Sequence, residues 1–233
     1  GMASFKGKGD NIILIRNHEI GHFKTIEKLL DKNPMQKNKK YINQFSDLMY
    51  DQGKNQTPCG GGTSTIVYNT KTQSVEKEYL SLAGTLVNCG GGITPWNTWI
   101  SCEETVDIKG SGLTKNHGYN FEVIPSETIK LNKAIPLKDM GRFRHEAIAI
   151  DPKTNIAYQT EDRKDGLIYR FVPNVKKQYA KGGKLQALVI KNMKTNDTRN
   201  WEVDNFVINT KYQIDWIDLD NVQNPKDDLR KRG

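Results

Sequence analysis

The sequence predicts an all-β protein: antiparallel meanders in a β-propeller-like arrangement, and an incomplete one. Three observations carry this. Apolar residues fall in short runs of strand length, with few stretches at helical spacing. Turn chemistry punctuates the runs, with Gly at 20 of 233 residues. The segment that begins at His145 reads strand, turn, strand, turn, strand without interruption, the layout of one up-and-down propeller blade.

The elements follow in chain order. Residues 11–16 (Asn-Ile-Ile-Leu-Ile-Arg) form a buried-strand candidate that runs directly into Asn17-His18-Glu19. Residues 24–31 carry helical spacing at Ile26, Leu29 and Leu30 but are few, 33–40 read as a lysine-rich loop, and 41–56 are polar and ambiguous. A glycine loop, 59–65, leads into a strand at 64–68; Asn69-Thr70-Lys71-Thr72 turns, and 74–82 returns with period-two alternation. In the central stretch, 82–104, apolar Leu86 and Val87 lead to Asn88 and Cys89. Three glycines follow, then Thr94-Pro95-Trp96, then a strand-like Thr98-Trp99-Ile100 that ends on Cys102-Glu103-Glu104.

Residues 118–124 alternate cleanly and Pro125 stops them. A strand at 145–150, a tight turn at 151–155 and a return strand at 156–160 end on Glu161-Asp162; a third strand, 167–172, and a fourth, 185–190, complete the unit. The C-terminal part holds the segments 201–207 and 213–219, and the charged residues within 220–233 are expected to form a flexible tail. No fixed-period repeat is visible, and residues 1–233 read as one domain.

Composition bounds the partners. Hydrophobic residues are 36% and charged residues 27% of the chain, on the polar side of globular and far from disordered. The net charge of +8 comes mostly from dispersed lysines with no nucleic-acid motif beside them, so a solvated basic surface is expected and no nucleic-acid partner. Three cysteines cannot all pair and make no disulfide framework. No segment is long and apolar enough to span a membrane, and no signal peptide stands at the N-terminus. Gly1 reads as a cloning remnant, which leaves room for a native leader upstream.

Carboxylates recur at strand ends beside Asn, His or Cys. Glu19 follows Asn17-His18, Glu103 and Glu104 follow Cys102, Glu146 follows His145, and Glu161-Asp162 close a return strand. Neighbouring like charges repel unless cations are present. Hard cations such as calcium take many oxygen ligands, and a cysteine thiolate in the same cluster points to a transition metal in addition. Taken singly, each acid reads as a surface carboxylate, Cys89 and Cys102 as small buried hydrophobes, and His18 and His145 as structural histidines. Recurrence around one cysteine-glycine loop favours a metal site.

At these residues the sequence resembles the PhoX-type alkaline phosphatases and the wider bacterial domain family that contains them. The matching motifs are Arg16-Asn17-His18-Glu19, Gly60-Gly61-Gly62-Thr63-Ser64-Thr65, and Gly84-Thr85-Leu86-Val87-Asn88-Cys89 through Cys102-Glu103-Glu104. His117-Gly118-Tyr119, Gly141-Arg142-Phe143-Arg144-His145-Glu146-Ala147, Thr160-Glu161-Asp162, Tyr169-Arg170-Phe171-Val172-Pro173 and Trp216-Ile217-Asp218 continue them in the family's order. The resemblance implies a periplasmic or secreted β-propeller that hydrolyses phosphate monoesters with a cluster of ferric iron and calcium bridged by an oxo group. It implies Cys89 as the thiolate ligand to iron, with Cys102 as the alternative, and Glu146 as an iron-ligating glutamate. Glu19, Glu103, Glu104, Glu161 and Asp162 resemble calcium or bridging ligands, and Asn17 and Asn88 are expected to contact substrate.

The sequence departs from the family pattern in one respect. A later Arg-x-Glu motif, whose arginine contacts phosphate and whose glutamate binds metal, has no counterpart after Trp216. The expectation is therefore a partial domain, weakly active or inactive by itself, with exposed strand edges that favour self-association. The alternative is a non-enzymatic propeller module that binds calcium or a partner. A lactonase-like propeller with one central calcium is a third reading, against which the Asn-Cys-Gly-Gly-Gly to Cys-Glu-Glu block argues.

Overall fold

The computed structural model describes residues 1–21, 44–54, 59–193, 197–204 and 206–233. The helical spacing at 24–31 and the lysine-rich loop at 33–40 lie outside the described residues. Of 41–56, residues 44–54 are described and include a short 3₁₀ turn, Ser46–Leu48.

Among the described residues twelve strands pair into three antiparallel sheets, and no helix exceeds a short turn. The first sheet runs β1 (Met2–Lys6), β2 (Asn11–His18), β3 (Gly61–Asn69), β4 (Ser74–Thr85). The second runs β5 (Asn88–Ile93), β6 (Trp99–Glu103), β7 (Asn120–Val123). The third holds β8 (His145–Ile150), β9 (Ala157–Glu161), β10 (Ile168–Pro173), β11 (Gly183–Ile190) and β12 (Ile214–Asp218). In each sheet chain neighbours are sheet neighbours, so all three are simple meanders of the propeller-like, unclosed kind. Local chemistry sets the turns: between β8 and β9 the Asp151 carboxylate accepts from the backbone N–H groups of Lys153 and Thr154, and Asn155 takes φ +60°.

Period-two alternation sorts side chains into two apolar layers. Phe5, Ile13, Ile15 and Leu82 of the first sheet meet Trp99, Phe121 and Val123 of the second. Ile100 and Cys102, on the opposite face of β6, meet Ile148, Ala157, Tyr169, Phe171, Leu185 and Ala187 of the third. The three-stranded sheet is thus the middle layer, and every residue of β6 is buried. This stacking brings β5 against β8.

Three expectations meet a different arrangement. The glycine run after Cys89 is part of strand β5. A Cβ on Gly90 or Gly92 would stand 2.0 Å from Glu146 O or 2.1 Å from Ile148 O, so glycine is what allows the two backbones to approach. Residues 201–204 and 206–207 are bends and irregular chain, with no strand. The segment 220–233, expected as a tail, lies against the third sheet. Leu229 is buried in its core, and the buried Arg142 donates to the carbonyls of Pro225 (3.0 Å), Asp107 (3.2 Å) and Val106.

Candidate metal centre

The same position in each sheet carries an acid. β2, β6 and β9 are the second strands of their sheets, and the residue just past each end is Glu19, Glu104 and Asp162. The neighbouring edge strands β5 and β8 add Cys89 and Glu146. Ligand atoms of Glu19, Cys89 and Glu104 lie within 4.8 Å of one another, and so do those of Glu104, Glu146 and Asp162. Glu104 belongs to both groups, and Cys89 Sγ stands 3.6 Å from Glu146 Oε1.

Backbone and amide contacts fix these side chains. Glu104 N–H donates to Val87 O (2.8 Å), Val87 N–H to Ile20 O (3.0 Å), and Asp162 N–H to Arg144 O (3.1 Å). Val87 sits at φ +47°, turning the chain from β4 into β5. Asn17 donates through Nδ2 to Cys89 O (3.0 Å) and Gly90 O (2.6 Å), and its Oδ1 accepts from Trp99 Nε1 (2.9 Å) and Ser101 Oγ (3.0 Å). The buried Asn88 accepts from Thr85 Oγ1 (2.6 Å) and donates to Ser101 Oγ (2.9 Å). Both asparagines, expected at the substrate, have their polar atoms engaged in holding β5.

The electrostatics of the cluster are one-sided. Burial, a hydrogen bond with Glu104 and the charges of Glu146 and Glu19 push the Cys89 thiol up to about 12. Burial, Asp162 and Glu146 push Glu104 up to about 7. The charged groups that act most strongly on both are carboxylates. A cation inverts this logic, holding the thiol as thiolate and the acids ionised. Hard oxygens suit calcium and ferric iron, and the single thiol suits a transition metal, so the donor set fits iron with calcium.

Other expected ligands point elsewhere. Glu103 is fully buried: Oε1 accepts from Leu86 N (2.9 Å) and lies 2.7 Å from His117 Nδ1, while Oε2 accepts from Gly118 N (2.8 Å) and Tyr119 N (3.0 Å). Glu161 Oε2 accepts from Tyr169 Oη (2.8 Å), and its Oε1 lies 3.6 Å from Arg230 Nη1. Adjacent residues of a strand project to opposite faces, so one acid of each adjacent pair reaches the cluster and the other cannot. Cys102 is buried in the apolar layer beside Ile100, which leaves Cys89 as the thiol among the carboxylates.

Sequence reading passed over a second buried group, Asp51, Cys59 and His117, whose ligand atoms also lie within 4.8 Å of one another. Asp51 falls in the polar stretch that showed no periodicity, so no pattern marks it.

A family model described as alkaline phosphatase PhoX matches residues 1–232. Searches of the curated proteins and of the solved structures found no match to this chain.

Proposed function

Because the chain belongs to the alkaline phosphatase PhoX family, we propose that it is a metal-dependent phosphomonoester hydrolase domain. Glu19, Cys89, Glu104, Glu146 and Asp162 would hold iron and calcium. The observation that carries this reading is the convergence of four carboxylates and one thiol from three sheets, with carboxylates as the strongest charges acting on Cys89 and Glu104. When bound, the metals supply Lewis acidity and charge to a phosphoryl group, whose transfer depends mostly on positioning and electrostatic stabilisation. The chain's own residues supply the placement. Asn17 clamps the Cys89–Gly90 backbone, and the ends of β2, β6 and β9 present one acid each. The family resemblance supports a periplasmic or secreted setting, and no described helix is long and apolar enough to cross a membrane.

The test is reconstitution with iron and calcium, elemental analysis, and p-nitrophenyl phosphate hydrolysis at alkaline pH. Both metals in fixed ratio, lost in Cys89→Ala and Glu146→Ala, with turnover that tracks metal content, is the expected result. A folded chain that takes up neither metal overturns the reading. A second reading is a non-enzymatic calcium-binding module, for which calcium without iron and without turnover would speak.

A further inference from the structure

On the other side of the end of β6, Glu103 faces a buried pocket of different composition. Asp51 and His117 have no exposed side-chain surface, and Cys59 is 4% exposed. His117 Nε2 stands 3.8 Å from Cys59 Sγ and 3.3 Å from Asp51 Oδ2. Its other ring nitrogen, Nδ1, makes a 2.7 Å contact with Glu103 Oε1. The tight contact is thus on Nδ1, while Asp51 Oδ2 stands wider from Nε2 than the usual mode of about 2.9–3.0 Å of an N–H···O bond.

The separations from Nε2 are near those of ligands that share a metal. Two ligands at about 2.0 and 2.3 Å from a tetrahedral zinc lie about 3.5 Å apart, and two at about 2.0 Å lie about 3.3 Å apart. The surroundings match as well. A histidine that ligates metal commonly gives its second nitrogen to a carboxylate, which fixes the ring. Glu103 occupies that place and is itself anchored by the N–H groups of Leu86, Gly118 and Tyr119. Asp51 is held with equal definition by Gly53 N, Thr114 Oγ1, Thr114 N and Lys115 N.

We propose that Asp51, Cys59 and His117 form a zinc-class metal site, distinct from the carboxylate cluster at Cys89. The ligand is a borderline divalent cation that accepts thiolate, imidazole and carboxylate together, which zinc does and calcium does not. Binding exchanges two protons, one from Cys59 Sγ and one from His117 Nε2, for one divalent ion. The role is structural. Asp51 and Cys59 precede β3, Cys59 by two residues, and His117 precedes β7, so the ion would tie the segment leading into the first sheet to the one leading into β7 of the second. Glu103 and Glu104 then connect two metal centres through one peptide bond, each facing its own.

The probe is cobalt(II), followed by zinc, on the whole chain carrying Cys89→Ser and Cys102→Ala, which leaves Cys59 as the only thiol. The expected result is one equivalent of cobalt with a near-ultraviolet thiolate-to-cobalt absorption, displaced by one equivalent of zinc. A folded double variant without that absorption overturns the proposal. Should the double variant not fold, zinc content of Cys59→Ser in the otherwise unchanged chain decides. Loss of one equivalent supports the site, and unchanged zinc overturns it.

Discussion

Cys89 and Glu146 meet with Sγ and Oε1 3.6 Å apart because two glycines let β5 lie directly on the backbone of β8. The contact joins the inner edges of two sheets, so the thiol reaches a carboxylate that its own sheet does not supply. The neutral thiol donates to that acid, whereas its thiolate would face carboxylates and needs a cation beside them, and this polarity underlies the expectations below.

The first concerns which acids bind metal. Glu104→Gln, Glu146→Gln or Asp162→Asn should lower iron and calcium content of reconstituted protein by an order of magnitude or more. Glu161→Gln should leave it unchanged, because Glu161 is bound to Tyr169 and Arg230 instead. Cys102→Ala should cost about 1 kcal/mol of stability, the ordinary scale for a small core truncation, and keep the metal. Elemental analysis beside thermal melts separates these outcomes; metal loss in Glu161→Gln would refute the assignment.

Gly90→Ala tests the approach of β5 to β8. Its Cβ would stand 2.0 Å from Glu146 O, so the strands must part. The expected cost is about 1–3 kcal/mol, the range for overpacking, together with weakened metal binding. Unchanged melting temperature and unchanged metal content would show that the seam is loose.

The metal-free protein should lose stability as pH rises from about 4.5 to about 7. Burial, Asp162 and Glu146 raise Glu104 to about 7 from an ordinary 4.5, so the folded state holds more protons than the unfolded state across that window. Stability therefore falls with pH there, its contribution being full below 4.5 and gone above 7. Melts in chelator should show the slope in the wild type and a flatter one in Glu104→Gln. A bound cation should flatten it too, since it holds the acid ionised.

Arg142 should anchor the C-terminal segment. Its guanidinium donates to carbonyls of Pro225, Asp107 and Val106 from a buried position. Arg142→Met leaves those carbonyls without their donor, at about 1–3 kcal/mol. Hydrogen exchange across 220–233 should accelerate in the variant while β5 and β6 stay protected. Equally fast exchange in wild type and variant would refute the anchoring role.

Much of the sheet structure was legible because strand patterning is local. Residues 145–150, 156–160 and 167–172 nearly coincide with β8, β9 and β10, since alternation and Asp-Pro or Asp-Gly turns need no distant partner. What was illegible depended on packing. The glycines of β5 read as a loop, because only the proximity of β8 makes glycine a strand residue there. Residues 220–233 read as a tail because their charges are matched by Glu161, Arg163 and Asp165, which are far away in sequence. The adjacent acids were both read as ligands, although strand geometry allows one of each pair to reach a common point. That restriction was available from the sequence alone.

The arrangement of one acid past the second strand of each sheet sets a timetable for the nascent chain. Once β6 has emerged and paired, Glu19, Cys89 and Glu104 can already gather. Glu146 and Asp162 join only after β8 and β9 leave the ribosome, and closing that long-range contact is the slow step of such a topology. On the proposed metal-binding reading a first cation would be captured early and a second only late, so the order of synthesis would become the order of loading.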